Sequence, residues 1–173
     1  PFSAFVFKTL SDPFAGRLTI FRIYSGTVHA DSTLYNATKD IKERIGQIFR
    51  LVGKKQEGVG SAFAGELIAV AKLKETATGD TFCDENDPII YEPAKLPQPL
   101  ITFALTPKSR GDEDKVASSL QRLMEEDLTI HLGRDDQTRE ILLTGMGQVH
   151  IEATLEKLKR KFGVDVELKT PKV

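Results

Sequence analysis

The chain has 173 residues, with 24 lysines and arginines against 25 aspartates and glutamates, and a formal net charge of −1. This length favours two compact domains, and the neutral balance gives no general reason to expect nucleic acid. No apolar run approaches the roughly 20 residues of a membrane span, so we expect a soluble protein without a membrane segment. One cysteine, Cys83, excludes an internal disulfide and, with no export leader, favours the cytoplasm.

Six short apolar segments in the first half are typical of β-strands, because each is bounded by Gly, Asp, Ser or Pro. They cover residues 2–7, 16–28, 32–38, 43–52, 65–73 and 81–85. The alternation of apolar residues slips once within the second segment, as a β-bulge would make it. No segment has a convincing helical period. The sequence therefore predicts an all-β barrel over residues 1–92, closed on itself so that no sheet edge is exposed.

Half of the ten phenylalanines fall in the first 21 residues: Phe2, Phe5, Phe7, Phe14 and Phe21. We expect them to fill the barrel core, which is far commoner than a platform for stacking bases. Phe14 lies in an Asp-Pro-Phe-Ala-Gly turn, which makes it a candidate for exposure on the surface.

Prolines mark the boundary between the two domains. Pro88, Pro93, Pro97 and Pro99 fall within a dozen residues, and none of them suits a central strand or a helix interior. The sequence predicts a proline-rich connector over residues 93–99, which such a composition makes stiff.

The second half, residues 100–173, changes period repeatedly. Its apolar pattern predicts a strand at 100–107, a helix at 112–126, a hairpin of strands at 129–133 and 139–145, a helix ended by Gly163, and a strand at 164–170. The helix positions expected to face the core are Val116, Leu120, Leu123 and Met124 in the first helix and Ile151, Leu155, Leu158 and Phe162 in the second. This order predicts an α+β ferredoxin-like domain, with both helices on one face of a four-stranded antiparallel sheet.

The turn Gly145-Met146-Gly147 joins a strand to a helix, which is where some proteins bind phosphate. A lone G-x-G is weak evidence, so a structural joint is favoured over a phosphate site. His150 and Glu152 are two residues apart and lie on different helix faces, so we predict no metal site. No constellation of Ser, His and Cys is present, and we predict no catalytic residue.

Basic residues cluster in two places. Residues 38–55 hold six basic residues against two acidic ones, and within this segment Lys39, Lys42 and Arg44, in a loop between strands, are the better candidates for phosphate contact. The second cluster consists of Lys157, Lys159, Arg160 and Lys161. It falls at the end of a helix, where the dipole favours cations, so a solvated face is its ordinary explanation.

Three stretches carry a family resemblance: DPFAGRLTIFRIYSGT, ERIGQIFRLVGKKQEGVGSAFAGELIAVAKLKETATGDT and LTGMGQVHIEATLEKLKRKFGV. They resemble the second and third domains of bacterial elongation factor G, and the resemblance covers essentially the whole chain. It implies a translation-factor β-barrel followed by a ferredoxin-like domain. It also implies a fragment of a ribosomal translocation GTPase that is itself non-catalytic and without a cofactor, because GTP and Mg²⁺ would bind a nucleotide domain preceding Pro1.

The resemblance also implies the partners. These are the ribosome, through small-subunit ribosomal RNA and protein, and the neighbouring domains of a monomeric parent chain, with no membrane. The barrel would lean on the RNA, and the third domain would relay the GTP state to the outer domains. The residues that match these surfaces are Phe14, Lys39, Lys42, Arg44, Ser109, Arg110, Gln148 and His150.

Two alternatives remain open at this point. The family commonly has Gly-Glu-Leu-His where this chain has Gly147-Gln148-Val149-His150, so the parent is either the principal translocase or a divergent paralogue. A small-molecule-binding regulatory module is the alternative from another functional class, and it rests on analogy with other ferredoxin-like domains.

Overall fold

A computed structural model describes residues 1–12, 15–53, 55–109 and 111–171. The chain divides into two compact units, Pro1–Ala94 and Lys95–Val173. The division lies between two residues of the proline-rich segment. No helix in the described ranges is long and apolar enough to cross a membrane.

The first unit consists of β-strands. In the described part they are β1 Ser3–Asp12, β2 Gly16–Ser25, β3 Thr27–His29, β4 Thr33–Asn36, β5 Ile41–Arg44, β6 Ile48–Val52, β7 Lys55–Val59, β8 Ser61–Phe63, β9 Leu67–Ala71 and β10 Thr81–Cys83. One antiparallel sheet has the order β5-β4-β10-β1-β2-β9-β6-β7, and β3 pairs separately with β8. The predicted all-β, strand-rich class of this unit is confirmed.

Two details of the strand prediction differ from the structure. The predicted strand 43–52 is interrupted at 45–47, where the chain passes from β5 to β6. The second detail is the sequence KQEGVGSAF, residues 55–63, which is too polar and glycine-rich to suggest strands but forms β7 and β8. β7 pairs with β6, which directly precedes it in the chain, and β8 pairs with β3, which lies far earlier. The larger sheet has two ends, β5 and β7, so among the described residues its hydrogen bonds do not form the predicted ring.

The slip in the apolar alternation is a real irregularity of the sheet. The pairing of β1 with β2 shifts twice, once between Ser3 and Ala4 and once between Val6 and Lys8. The residues left over at the two shifts are Tyr24 and Phe7, and both side chains are exposed. The expectation that Phe7 fills the core is wrong, because Phe7 alternates with buried Val6 along β1 and so lies on the outer face.

The core of the first unit is built by residues from strands along the whole unit, from Ala4 on β1 to Phe82 on β10. Phe21 and Phe82 pack edge to face at its centre, with ring centroids 5.3 Å apart. The fully buried aliphatic residues around them include Val6, Ile23, Ile45, Ile48, Ile68 and Val70. Burial of this apolar surface is the main favourable contribution to the folding of the unit.

The second unit has the predicted order of elements. They are β11 Ile101–Pro107, α1 Glu113–Glu126, β12 His131–Arg134, β13 Ile141–Gly145, α2 Gln148–Phe162 and β14 Val166–Lys169. Their sheet has the order β12-β13-β11-β14, with antiparallel pairs throughout. This is the ferredoxin-like arrangement, which confirms the predicted α+β class.

Both helices use the apolar faces expected from their periods. In α1, Val116, Leu120 and Leu123 are buried, and in α2, Ile151 and Leu158 are buried against the same core. The other predicted positions, Met124, Leu155 and Phe162, are partly buried at its margin. Gly163 ends α2 in the left-handed conformation, with φ 64°, which glycine adopts without steric cost.

Candidate functional site

The candidate residues of the first unit do not share one loop. Lys39 lies in the turn after β4, but Lys42 and Arg44 belong to β5, where they pair with Tyr35 and Thr33 of β4. The prediction that all three lie in a loop is therefore wrong for Lys42 and Arg44. Strand geometry places these two on the same face of the sheet edge, because they are two residues apart.

Most of the basic surplus of residues 38–55 is neutralised by acids from elsewhere in the unit. The ammonium group of Lys39 lies 3.3 Å from the Asp80 carboxylate and also donates to the carbonyl of Glu75. Lys42 lies 2.5 Å from Glu85. A third pair joins Arg50 Nε to Glu66 Oε1 at 2.6 Å.

Arg44 differs from these three residues. Its exposed guanidinium makes no hydrogen bond or ion pair with any residue in the described ranges. It lines a depression of about 610 Å³, which we call the Arg44 depression. The other lining residues that matter here are Asp31, Gly46, Gln47, Phe49 and Lys72.

Two of the predicted site residues, Phe14 and Arg110, lie outside the described residues. Ala15, the neighbour of Phe14 in the sequence, lines the Arg44 depression. Ser109, the neighbour of Arg110, is exposed in the bend after β11. Its carbonyl accepts a hydrogen bond from Asp112 N at 3.4 Å, just before α1.

His150 is half-buried near the start of α2, and both of its ring nitrogens have partners. The amide of Met146 donates to Nδ1 at 3.1 Å, and Nε2 lies 2.8 Å from Asp127 Oδ2. Because Nδ1 is an acceptor, the proton of the neutral ring is on Nε2 and is donated to the carboxylate. The arrangement ties the strand-to-helix turn to the end of α1.

Asp127 accepts three hydrogen bonds. Its Oδ1 receives the amide of Thr129 at 3.0 Å and the hydroxyl of the same residue at 2.5 Å, while Oδ2 receives His150. Burial alone would raise the pKa of Asp127, but the hydrogen bonds from Thr129 and His150 outweigh it and hold the pKa below its usual value. The group is thus kept as a carboxylate.

The turn between β13 and α2 is a structural joint. A side chain at Gly145 would meet Ile151 at 3.0 Å and His150 at 3.2 Å, whereas Gly147 has open space and an extended φ of 175°. The Met146 amide is used by His150. Gln148 is exposed and donates to Glu152 at 2.9 Å, one helical turn further on.

The basic end of α2 also makes pairs within the second unit. Lys161 lies 2.8 Å from Glu126 at the end of α1, and Lys159 lies 3.2 Å from Asp165. The acidic end of α1, which opposes its own dipole, is thus matched by His150 and Lys161 of α2. Within the described ranges, no group of three or more His, Cys, Asp or Glu residues could hold a metal ion.

Comparison with known protein families assigns both units. Residues 1–85 match the model of elongation factor G domain 2, and residues 96–170 match the model of elongation factor G domain III. The chain belongs to the elongation factor G family. A solved structure from Thermus thermophilus is similar over 100% of this chain, with 34% identity and a TM-score of 0.88. The present chain spans 26% of that protein.

In elongation factor G terms, the Arg44 depression lies in domain 2, and the His150–Asp127 contact lies in domain III. The sequence did not identify two residues of these sites, Asp127 and Lys72. Asp127 could have been found from the local pattern Asp127-Leu128-Thr129, since Asp often accepts from the backbone two residues on. Lys72 carries no such sequence signal, because only the fold places it beside Arg44.

Proposed function

We propose that this chain is a non-catalytic, ribosome-binding and conformational-relay part of a translation elongation factor. The observation that carries the proposal is the succession of two elongation factor G domains, domain 2 followed by domain III, along one chain. In the proposed parent protein, a separate nucleotide domain binds GTP and Mg²⁺ and hydrolyses the GTP. The small ribosomal subunit, through its RNA and protein, is the proposed partner.

In domain 2 the proposal assigns RNA contact to the β4–β5 edge. Arg44 is available for a phosphate, whereas Lys39 and Lys42 must first release Asp80 and Glu85. The pair of Lys42 and Glu85 is half exposed on both sides, so its exchange for a phosphate costs little. Lys39 is held more firmly, because the Asp80 side chain is only 7% exposed.

In domain III the proposal assigns the relay to the start of α2. Gln148 and Val149 are exposed in its first turn, and Val149 is 79% exposed. His150, one residue later, is anchored to Asp127 and to the Met146 amide. Because these hydrogen bonds fix the first turn of α2, its exposed residues move together with the rest of the helix. Transmission of a displacement requires such a rigid element.

The test is co-sedimentation of this chain with ribosomes over a series of salt concentrations. Three to four phosphate contacts predict that binding weakens by about 40- to 150-fold between roughly 50 and 200 mM salt. Arg44→Gln should weaken binding about tenfold, and Lys55→Gln, an exposed change on β7, should leave it within about twofold. No sedimentation at low salt, or sedimentation that salt does not affect, contradicts the proposal.

A further inference from the structure

We propose that the Arg44 depression binds one phosphate-bearing nucleotide unit of single-stranded RNA, with Arg44 and Lys72 on the phosphate. The proposal rests on the proposed function for the choice of RNA. It goes beyond that function because it specifies a concave site for a single unpaired nucleotide instead of a flat contact with a duplex.

The first observation is the charge. Arg44 and Lys72 line the depression together, and neither forms an ion pair or side-chain hydrogen bond with the described residues. Asp31 is the acidic residue on the same lining, and it leaves a surplus of one positive charge. The other described cations of β4 to β6 are largely paired, so the unpaired charge of this region is concentrated at the depression.

The second observation is the bare backbone at Gly46. A Cβ added at this glycine would meet nothing within 4 Å, and its backbone does not adopt the left-handed conformation that requires glycine. Neither crowding nor φ therefore explains the residue. A glycine in such a place lets a ligand approach the main chain closely. The exposed amide side chain of Gln47 follows directly and can donate to a phosphate or a base.

The third observation is backbone strain on the lining. Lys72 and Asp31 both have positive φ, 67° and 56°, which is uncommon for residues with side chains and clusters at binding sites. Both are fixed by main-chain hydrogen bonds, from Lys72 N to the Arg17 carbonyl at 3.1 Å and from Asp31 N to the Gly46 carbonyl at 2.9 Å. Main-chain hydrogen bonds thus fix the backbone on both sides of the depression.

The size and the aromatic wall favour a nucleotide over a bare anion. A volume of about 610 Å³ lies within the range of roughly 300–1,000 Å³ that is typical of small-molecule sites. Half-buried Phe49, paired with Gly58 across β6 and β7, is the aromatic residue among those that line the depression. Cations for the phosphate combined with an aromatic surface for the base are the usual means of holding single-stranded nucleic acid.

The experiment measures fluorescence anisotropy of a short fluorescein-labelled oligouridylate titrated with this chain. Arg44→Gln and Lys72→Gln should each weaken binding about tenfold, as loss of a charge-assisted hydrogen bond does. Gly46→Val should weaken it about tenfold as well, because it fills the depression without changing the charge. Lys55→Gln is the matched control and should stay within about twofold, since Lys55 is exposed on β7 but does not line the depression.

Two further probes separate the sources of the phosphate. Competition by uridine monophosphate, with no competition by inorganic phosphate at the same concentration, supports a nucleotide site. Equal competition by both probes reduces the site to a general anion site and overturns the proposal. A duplex of the same length that binds as tightly as the single strand overturns it too, as does a loss in Lys55→Gln equal to that in Arg44→Gln.

Failure of this inference is distinguishable from failure of the proposed function. If the oligouridylate does not bind but the chain still sediments with ribosomes, the nucleotide site is wrong and the ribosome-binding role stands. If the chain fails to sediment as well, both are wrong. Circular dichroism of each variant checks folding, and Lys72→Gln, an exposed change, keeps the test decisive if Gly46→Val does not fold.

Discussion

At the scale of single residues, the carboxylate of Asp127 in domain III accepts hydrogen bonds from two different segments of the chain. One carboxylate receives the amide and hydroxyl of Thr129 and the Nε2 of His150. We expect Asp127→Ala to lower the free energy of unfolding by about 1–3 kcal/mol, because three donors lose their acceptor while partial exposure lets water replace some of the bonds. Urea unfolding at neutral pH measures this loss. Asp136→Ala, an exposed change in the β12–β13 turn, is the control and should cost less than about 0.5 kcal/mol.

The depressed pKa of Asp127 also predicts a pH dependence. Because its hydrogen bonds lower the pKa in the folded state, the carboxylate contributes stability that is fully present above its unfolded-state pKa, near 3.8. That contribution is lost as the pH falls through the lower, folded-state pKa. The difference in unfolding free energy between wild type and Asp127→Ala should therefore shrink as the pH is lowered below about 4. A difference that stays constant down to pH of about 2 contradicts this account.

The acids at the end of α1 show where sequence reasoning stops at this scale. Glu126 and Asp127 oppose the dipole of their own helix, and the sequence alone offers no reason for them. The structure supplies the reason, because Lys161 and His150 of α2 face them. A local rule fails here because the compensating partners, the Lys161 ammonium and the His150 Nε2–H group, are more than 20 residues away in the chain.

At the scale of elements, the two glycines before α2 have different roles. Gly145→Ala should lower the free energy of unfolding by about 1–3 kcal/mol, because the added Cβ meets Ile151 at 3.0 Å and His150 at 3.2 Å. Gly147→Ala should be within about 0.5 kcal/mol of wild type, since its Cβ has open space and its φ of 175° suits any residue. Equal losses in the two variants, measured by urea unfolding, would show that the turn is not the joint described above.

Edge strand β5, which carries Lys42 and Arg44, is fixed to the segment after β9 by Glu43. Its carboxylate accepts the amides of Lys74 at 2.6 Å and of Thr76 at 2.9 Å, and also the Thr76 hydroxyl. Burial alone would raise the pKa of Glu43, but these hydrogen bonds outweigh it and lower the pKa below its usual value. The group is therefore ionised at neutral pH, where its acceptor capacity is greatest.

We expect Glu43→Ala to lower the free energy of unfolding by about 2–3 kcal/mol, because several donors lose one charged acceptor. Thermal and urea unfolding at neutral pH measure the loss. Glu57→Ala on β7 is the matched control, since its carboxylate is 65% exposed and lies 4.0 Å from Arg50, and it should cost less than about 0.5 kcal/mol. A small effect of Glu43→Ala would mean that β5 is held by its pairing with β4 alone.

A helix or strand could be predicted where its apolar period and its ending residue lie within one segment of the chain. The periods of α1 and α2 and the turn at Gly163 lie within single segments, so their faces and ends follow from sequence. Strands β7 and β8 lack such a pattern and form because β6 and β3 offer partners. The expectation for Phe7 rests on its residue type, whereas its alternation with buried Val6 on β1 places it on the outer face.

At the scale of the whole molecule, the charge of a segment is a poor guide to the charge of a surface. The surplus counted over residues 38–55 is largely cancelled by Asp80, Glu85 and Glu66, which the fold brings from outside that segment. Among the basic candidates in the described ranges, only Arg44 has no partner. Lys72, which lines the same depression, directly follows β9. Sequence could therefore indicate the basic region but not the depression.

The first unit extends past residue 85, where the domain 2 match ends. Tyr91 lies in this extension and belongs to the unit. Its ring packs on Phe5 and Tyr24, with centroids 6.4 and 5.0 Å away, and its hydroxyl bonds Ser3 at 2.8 Å. A chain of residues 1–94 should fold cooperatively, and residues 1–85 should be less stable by about 2–3 kcal/mol, from two aromatic contacts and the hydrogen bonds lost.

Urea unfolding of the two chains, followed by circular dichroism, measures this difference, and Tyr91→Ala in the longer chain shows how much of it belongs to one side chain. If Tyr91→Ala reproduces most of the loss, the residues after β10 act as a strap that covers the outward-facing Phe5 and Tyr24. Equal stability of the two chains contradicts the prediction. The strap follows from the pleat of the sheet, since Tyr24 alternates with buried Ile23 along β2 and so lies on the outer face, within reach of Tyr91.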